Sequence, residues 1–397
     1  MNVGDRLKQI RLARGFSLED LAAEMGGVVT KQSLSKYEKG KSEPSLRVLN
    51  VMASTLGVKS AYFYEIPSFS VKFHGFHAKA ALRVREQEKV QNRIKQLLED
   101  RIKLQRFSKE EQISDFPIHA FSSRNLQAIE RAALAIREKW RLGLAPVSSV
   151  VETLEENRIH VLELEEGDRF DGQSATVEED NQTVAVAVIA RKVEAGERQR
   201  LTLLHELGHV VLKPLKGDAK DVKKANEKAA YRFASSFLAP KEELISLVGE
   251  RRRFFDVEEL ILLKKRFGLS IQALLYRMMD LGIISGRQHR QWYIFMTKQG
   301  WKVKEPEEMK REEPQWLRRT VLKGYAEGWI SQSEAERFLG APVNLGEHLS
   351  LRERRAFMKI PMEQRRKILE KQAQELIEHY NEDDDWKETH AADFIDY

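Results

Sequence analysis

The sequence predicts a mainly α-helical chain with a small β-sheet, and three observations support this fold class. Hydrophobic residues recur at helical spacing in the first 60 residues and again from Val257 onward. Ser, Thr and Gly divide these segments where helices begin and end. Only two short runs, Ile159–Leu162 and Gln182–Ala190, have the apolar composition of buried strands. We expect an N-terminal domain of four or five helices, a central α+β domain and a helical C-terminal region.

The composition describes a folded chain that has no cysteine chemistry. The 397 residues are 42% hydrophobic and 32% charged, with a net charge of +6 that permits nucleic-acid binding without requiring it. The absence of Cys excludes disulfides, iron–sulfur clusters and a cysteine nucleophile, so that any metal must bind His and carboxylates. No apolar run approaches about 18 residues and the charged start is unlike a signal peptide. We therefore expect a cytoplasmic protein with no membrane partner.

Changes in composition along the chain predict five regions. They are a helix-turn-helix domain over 1–66, a connector over 67–120, an α+β domain over 121–290, a helical region over 291–350, and a helical segment with an acidic tail over 351–397.

The first region predicts four short helices. Gly15 ends the first, Ser17 caps the second with Asp20 three residues later, Thr30 caps the third, and Pro44 opens the fourth. A Gly turn between the second and third helices is typical of a helix-turn-helix fold that binds double-stranded DNA.

The third helix would present its polar side chains to the major groove. The candidate DNA contacts are Thr30, Lys31, Gln32, Ser33, Ser35 and Lys36. Gln can bond adenine with two hydrogen bonds, and Lys can bind guanine or phosphate. Residues 1–66 carry ten Lys and Arg against seven acidic residues, so a homodimer on a two-fold operator is the natural way to gain affinity. The alternative is a helix-turn-helix fold that contacts only proteins.

Beyond the first domain, helical and strand patterns alternate. Arg83–Glu111 is highly charged and lacks Gly and Pro, which predicts a long helix. Further predicted elements are a helix over Asn125–Leu142, a helix leading into a strand over Val150–Leu164, a strand over Gln182–Ala190, helices over Gly196–Leu212 and Lys223–Phe237, and a strand pair near Trp292–Lys304.

One pentapeptide, His205-Glu206-Leu207-Gly208-His209, carries the strongest chemical signal. On a helix, residues i and i+4 share a face, so both imidazoles can bind one metal ion. Glu206 would lie beside them, within reach of a water molecule. The apolar flanks of the motif support a helix next to a sheet.

A catalytic zinc site needs three protein ligands and one open position. Glu227 lies 18 residues after His209, which leaves room for a loop and a returning helix. Ala230, Phe233 and Ala234 would form the buried stripe of that helix. We expect Glu227 to be the third ligand; the alternative is a solvated helix carboxylate.

Two parts of the chain resemble known families. Residues 198–209, Glu227-x-x-Ala230-x-x-Phe233-Ala234 and the Tyr276–Ser285 segment resemble the ImmA/IrrE family of zinc metallopeptidases. Thr30–Gly40 followed by Pro44 resembles the Cro/CI-type (XRE) helix-turn-helix. The resemblance implies a zincin-like domain whose cofactor is Zn²⁺ and whose substrate is a repressor or antitoxin, cleaved to control stress-response or mobile-element genes.

Zinc held by His205, His209 and Glu227 would activate water, with Glu206 as general base. Tyr231 and Tyr276 are candidates for stabilising the oxyanion, and packing is the alternative role of each. The leading hypothesis is a DNA-binding regulator that is also a zinc endopeptidase. The alternative is a non-hydrolytic transcriptional regulator or antitoxin whose peptidase fold binds a partner.

Several features lie outside these motifs. Glu382–Tyr397 contains seven acidic residues and one Lys, interspersed with Trp386 and Tyr397. It resembles the C-terminal segments of some bacterial antitoxins, which implies a toxin partner; the alternative is a tail that is solvated or docked on its own chain. No function is assigned to His74, His77 or His119.

Overall fold

A four-stranded β-sheet lies between layers of helices in this computed structural model of the chain. The structure describes residues 3–65, 68–78, 84–110, 113, 115–165, 170–217, 219–343 and 357–370. The chain divides into two units, residues 1–316 and residues 317–397. The predicted class, mainly helical with a small sheet, is confirmed.

The N-terminal helices form as predicted. They are α1 (Val3–Ala13), α2 (Leu18–Glu24), α3 (Lys31–Glu38) and α4 (Leu46–Leu56), followed by a 3-10 helix at Ser60–Tyr64. Ser17 and Thr30 accept hydrogen bonds from backbone N–H groups of α2 and α3, which satisfies donors that a helix start leaves free. Leu21, Leu34 and Met52 are fully buried between the helices.

The rest of the first unit is a sheet with helices on both faces. In chain order its elements are β1 (Ser70–Ala78), α5 (Val84–Ser108), β2 (Phe121–Ser122), α6 (Leu126–Lys139), α7 (Val150–Glu156), β3 (Ile159–Leu164), β4 (Phe170–Glu179), β5 (Gln182–Arg191), α8 (Gly196–Val211), β6 (Leu212–Lys213), α9 (Lys220–Leu238), α10 (Lys241–Val248), α11 (Val257–Phe267), α12 (Ile271–Asp280) and α13 (Gly286–Lys298).

The strand order of the main sheet is β1-β4-β5-β3. β4 pairs antiparallel with both β1 and β5, whereas β3 runs parallel to β5. β2 and β6 form a separate parallel pair. β1, from the predicted connector, is therefore part of the sheet, and β4 is a strand that the sequence analysis did not predict.

The alternating residues of β5 determine which helices pack on which face. Ala185, Ala187 and Ile189 belong to one buried cluster with α5, which is the predicted charged helix. Val186 and Val188 belong to a second cluster with the apolar side of α8 and with α6, α7 and α9. Because both faces are covered, β5 reads as a continuous apolar run. The sheet thus separates α5 from the helix that carries the histidine motif.

The predicted strand pair near Trp292–Lys304 is wrong, because residues 286–298 form α13. Ser285 and Gln288 form a reciprocal capping box that begins this helix. Met296 is then buried in the large cluster beside the partly buried Trp292. The aromatic residues have high strand propensity, but the capping box and the burial of Met296 stabilise a helix instead.

The second unit is helical where the structure describes it. α14 (Trp316–Ala326) leads into it and α15 (Gln332–Leu339) follows, capped by Ser331. Residues 357–370 are helical on both sides of a break at 360–361. The acidic tail lies outside the described residues. None of the described helices combines the length and the apolar character that crossing a membrane requires.

Candidate metal centre

Two adjacent helices bring the predicted ligands together. α8 carries His205, Glu206 and His209, and α9 carries Glu227. The two helices lie close because Gly208 faces α9: a Cβ added there would lie 3.1 Å from the Ala230 Cα. The glycine in the centre of the motif therefore lets the carboxylate of α9 reach the imidazoles of α8.

The three candidate ligands converge on one point. The Nε2 atoms of His205 and His209 lie 3.1 Å apart, and the two oxygens of Glu227 lie 3.2 Å from His205 Nε2 and 3.3 Å from His209 Nε2. One ligand atom from each residue falls within 4.8 Å of the others, the one such group found among the described residues. Two imidazole nitrogens and a carboxylate are a donor set that suits zinc. The residues present therefore fit a zinc ion.

Glu206 lies beside this group and is completely buried. Neither of its carboxylate oxygens has a hydrogen-bond partner at normal bonding geometry among the described residues, although the Ser174 hydroxyl is near enough to favour the ionised form. Burial, and secondarily the negative charge of Glu227, raise the pKa of the Glu206 carboxyl well above its ordinary value. A buried acid without a partner is costly unless it serves a function, and a nearby cation would favour its ionised form.

β4 passes directly over this acid. A Cβ added at Gly172 would lie 2.5 Å from Glu206 Oε1, so glycine is what allows the strand to touch the carboxyl. Next to Gly172, the buried Asp171 pairs with Arg198 at 2.6 Å. These residues were not predicted, because β4 itself was not predicted as a strand and its Asp171–Ser174 run is polar.

Two further histidines, His119 and His74, lie behind His209. His119 Nε2 lies 3.2 Å from the His209 carbonyl oxygen, and the His119 ring meets the His74 ring edge-on at 4.9 Å. His74 Nε2 lies 2.8 Å from Thr176 Oγ1. Burial, and then His119, lower the pKa of His74 to about 4. These histidines, which had no assigned function, pack behind a candidate ligand.

Of the two tyrosines considered for the oxyanion, Tyr231 lies next to the ligands. Its ring centroid is 4.1 Å from that of His205, and the residue is 38% exposed. Burial, and then the charge of Glu227, raise the pKa of the Tyr231 hydroxyl above its ordinary value. The Tyr276 ring instead meets the His289 ring edge-on, with the two centroids 5.9 Å apart.

The candidate DNA contacts lie on and before α3. Thr30, Lys31, Gln32 and Lys36 are exposed, and Ser33 and Ser35 are partly exposed. Thr30 caps the helix by accepting from the Ser33 N–H at 3.2 Å, and Lys31 pairs with Glu19 at 3.2 Å. The contact of these six residues with DNA stays a prediction.

The helix-turn-helix domain is joined to α5 by a buried polar network. Glu99 on α5 accepts hydrogen bonds from Arg6 at 2.7 Å, from Gln9 at 2.9 Å and from Tyr62 at 2.5 Å. Burial and the charge of Glu99 raise the pKa of Tyr62, which keeps its hydroxyl a donor. The network fixes the first domain on the helix that covers the sheet.

Comparisons with known families agree with this architecture. Residues 7–63 match the family model described as helix-turn-helix, and residues 168–279 match the one described as IrrE N-terminal-like domain. The chain therefore carries an XRE-type helix-turn-helix domain followed by an IrrE/ImmA-like domain, as the motifs predicted.

Two curated relatives are similar over short stretches. The SPbeta prophage-derived uncharacterized HTH-type transcriptional regulator YonR of Bacillus subtilis is 39% identical over 59 residues, which is 15% of this chain and 53% of the relative. The HTH-type transcriptional regulator DdrOP3 of Deinococcus deserti is 33% identical over 82 residues, 21% of this chain and 59% of the relative. The chain thus spans somewhat more than half the length of each.

Proposed function

We propose that this chain is a DNA-binding transcriptional regulator that is also a zinc-dependent endopeptidase acting on a repressor or antitoxin. The observation that carries the enzymatic part is the convergence of His205, His209 and Glu227 beside the fully buried Glu206. A zinc ion bound there would supply the Lewis acidity that activates water and polarises a peptide carbonyl.

The side chains divide the remaining chemistry between them. Glu206 takes a proton from the attacking water and later delivers it to the leaving amine. Its complete burial beside the candidate ligands suits this role, because a cation held there would favour the ionised form that accepts the proton. The protonated Tyr231 hydroxyl, on the ring packed against His205, is the candidate donor to the developing oxyanion.

The helix-turn-helix domain supports the regulatory part of the proposal. Its third helix exposes Gln32 and Lys36, and the two relatives are named transcriptional regulators. Those names also favour a second candidate function, a regulator whose peptidase fold binds a partner without cutting it.

Metal analysis combined with proteolysis separates the two candidates. We expect about one zinc ion per wild-type chain, little in Glu227→Ala, and full retention in Glu206→Gln. Proteolysis of a repressor or antitoxin encoded near this gene should be lost in both variants. A wild type that binds zinc and the partner but leaves the partner intact would favour the non-hydrolytic regulator.

A further inference from the structure

At the candidate metal centre, the edge of β4 is covered by another strand of the same chain, β1. β1 pairs antiparallel with β4, and its His77 stands opposite Gly172, the residue that touches Glu206. We infer that residues 70–78 hold the position that an extended polypeptide substrate must take, so that β1 shields the site as an internal strand. This inference rests on the proposed peptidase function.

The position of Glu206 restricts where a substrate can bind. A scissile peptide must lie within reach of this acid, and β4 is the strand that touches it. On one side β4 is paired with β5, Gly172 standing opposite Ala190, in the centre of the sheet. Extended peptides commonly bind by adding a strand to a sheet edge. The edge of β4 next to Glu206 is the one that β1 occupies.

β1 also lies directly against a candidate ligand. Gly75 has φ +58°, and a Cβ there would lie 2.8 Å from the His209 ring. The strand is bulged between His74 and His77, and it is held by hydrogen bonds from Gln173 Nε2 to the Gly75 oxygen at 3.1 Å and from Ser174 Oγ to the His74 oxygen at 2.9 Å. A bulge re-aims a strand locally, as a shielding segment next to an active site requires.

The packing of β1 suits a strand that can leave. Residues 68–75 are all exposed or partly exposed, whereas the first eight residues of β4 are all buried. Val71 and Phe73 pack only partly buried against the cluster under α5, and the Lys72–Glu178 pair at 2.6 Å is solvated on the Lys72 side. Removing β1 would therefore expose less apolar surface than removing any strand inside the sheet.

A binding experiment tests this without relying on catalysis. The probe is a fluorescent peptide with the sequence of residues 68–78, added at about 10 µM to Glu206→Gln protein. A tethered strand competes at an effective concentration of about 1 mM, so the peptide should bind poorly to protein with intact β1. Adding Phe73→Asp weakens the packing of β1 and should raise peptide affinity roughly tenfold or more.

A reversible disulfide between β1 and β4 supplies the matched control in the same protein. Ser70 and Glu178 are paired across the two strands, and directly opposite residues lie within disulfide reach. Because the chain has no cysteine, Ser70→Cys with Glu178→Cys creates a unique disulfide. In the Phe73→Asp background, oxidation should abolish peptide binding and reduction should restore it, while the single Ser70→Cys variant should not respond. Circular dichroism confirms that each variant is folded.

The outcomes distinguish this inference from the proposed function. Equal peptide binding in the oxidised and reduced states, or no binding in either, would overturn the shielding role of β1. Redox-dependent binding would support it. If the reduced variant carrying the native Glu206 then binds zinc and the peptide but hydrolyses no polypeptide, the peptidase proposal fails while the strand exchange stands.

Discussion

Arg6 on α1 and Glu99 on α5 form a nearly buried ion pair, with Arg6 Nη1 lying 2.7 and 2.8 Å from the two carboxylate oxygens. Their side chains are only 3% and 12% exposed. The pair joins two regions 93 positions apart in sequence. It makes the placement of the helix-turn-helix domain on α5 sensitive to a single carboxylate.

We expect Glu99→Ala to lower the free energy of unfolding by about 3 kcal/mol, because it leaves the Arg6 guanidinium buried without its counter-charge. Tyr62 and Gln9 also lose their acceptor. Thermal unfolding, with hydrogen exchange in α1, measures the change. The control is Glu19→Ala, which removes the exposed Lys31–Glu19 pair and should cost less than about 1 kcal/mol. Equal losses in both variants would contradict the prediction.

Gly172→Ala should destabilise the protein by roughly 1–3 kcal/mol, because its methyl group would come within 2.5 Å of Glu206 Oε1. Gly286→Ala is the matched control, since nothing lies within 4 Å of a Cβ there and the residue begins α13. Chemical denaturation of both variants provides the comparison. A Gly172→Ala protein as stable as the Gly286→Ala protein would show that β4 does not press on Glu206.

Stability should fall in acid because of His160. Burial, and then Arg101, lower the pKa of this histidine to about 3 in the folded protein, against about 6.5 in the unfolded chain. Between these values the unfolded state binds the additional proton, so stability decreases as pH falls from about 6.5 towards 3, by up to about 1.4 kcal/mol per pH unit. Above pH 7 the group contributes no pH dependence.

The ring centroids of His160 and Trp316 lie 4.6 Å apart. The variant His160→Phe isolates the effect, because it keeps a ring against Trp316 and removes the titrating group. Urea denaturation at pH 7, 6 and 5 should give a flatter pH dependence for the variant than for the wild type. If the unfolding free energies of the variant and the wild type fall equally with pH, the acid sensitivity comes from other groups.

DNA binding should respond differently to two substitutions on α3. Lys36→Ala should weaken binding to all sequences and reduce the slope of log affinity against log salt concentration by about one, the value of one phosphate contact. Gln32→Ala should instead relax the preference for the operator. Mobility-shift titrations with the protein's own promoter and with unrelated DNA measure both. Lys59→Ala, an exposed lysine outside α3, is the control. Unchanged binding in the first two variants would remove the assignment of the recognition helix.

The sequence predicted the helices that carry local signals. The spacing of His205 and His209 implied α8, and the apolar stripe after Glu227 implied α9, so the grouping of the three candidate ligands could be anticipated. The N-terminal helices were marked by caps such as Ser17 and Thr30, whose hydrogen bonds span only three residues.

The parts that could not be predicted depend on contacts between distant residues. β4 contains Gly172, Gln173 and Ser174, a polar run that is buried because β1, β5 and α8 surround it. β1 lies about 100 residues before its partner, and its pairing has no local signature. The positions of His74 and His119 behind His209 follow from that pairing.

The layered arrangement of the sheet has a practical consequence for dissecting the protein. The stretch that matches the IrrE model, residues 168–279, omits α5 and β1. A fragment trimmed to those limits would leave Val177, Ala185, Ala187 and Ile189 facing water on a bare sheet, which favours aggregation. Recombinant production of the IrrE-like domain should therefore retain everything from residue 68 to residue 316.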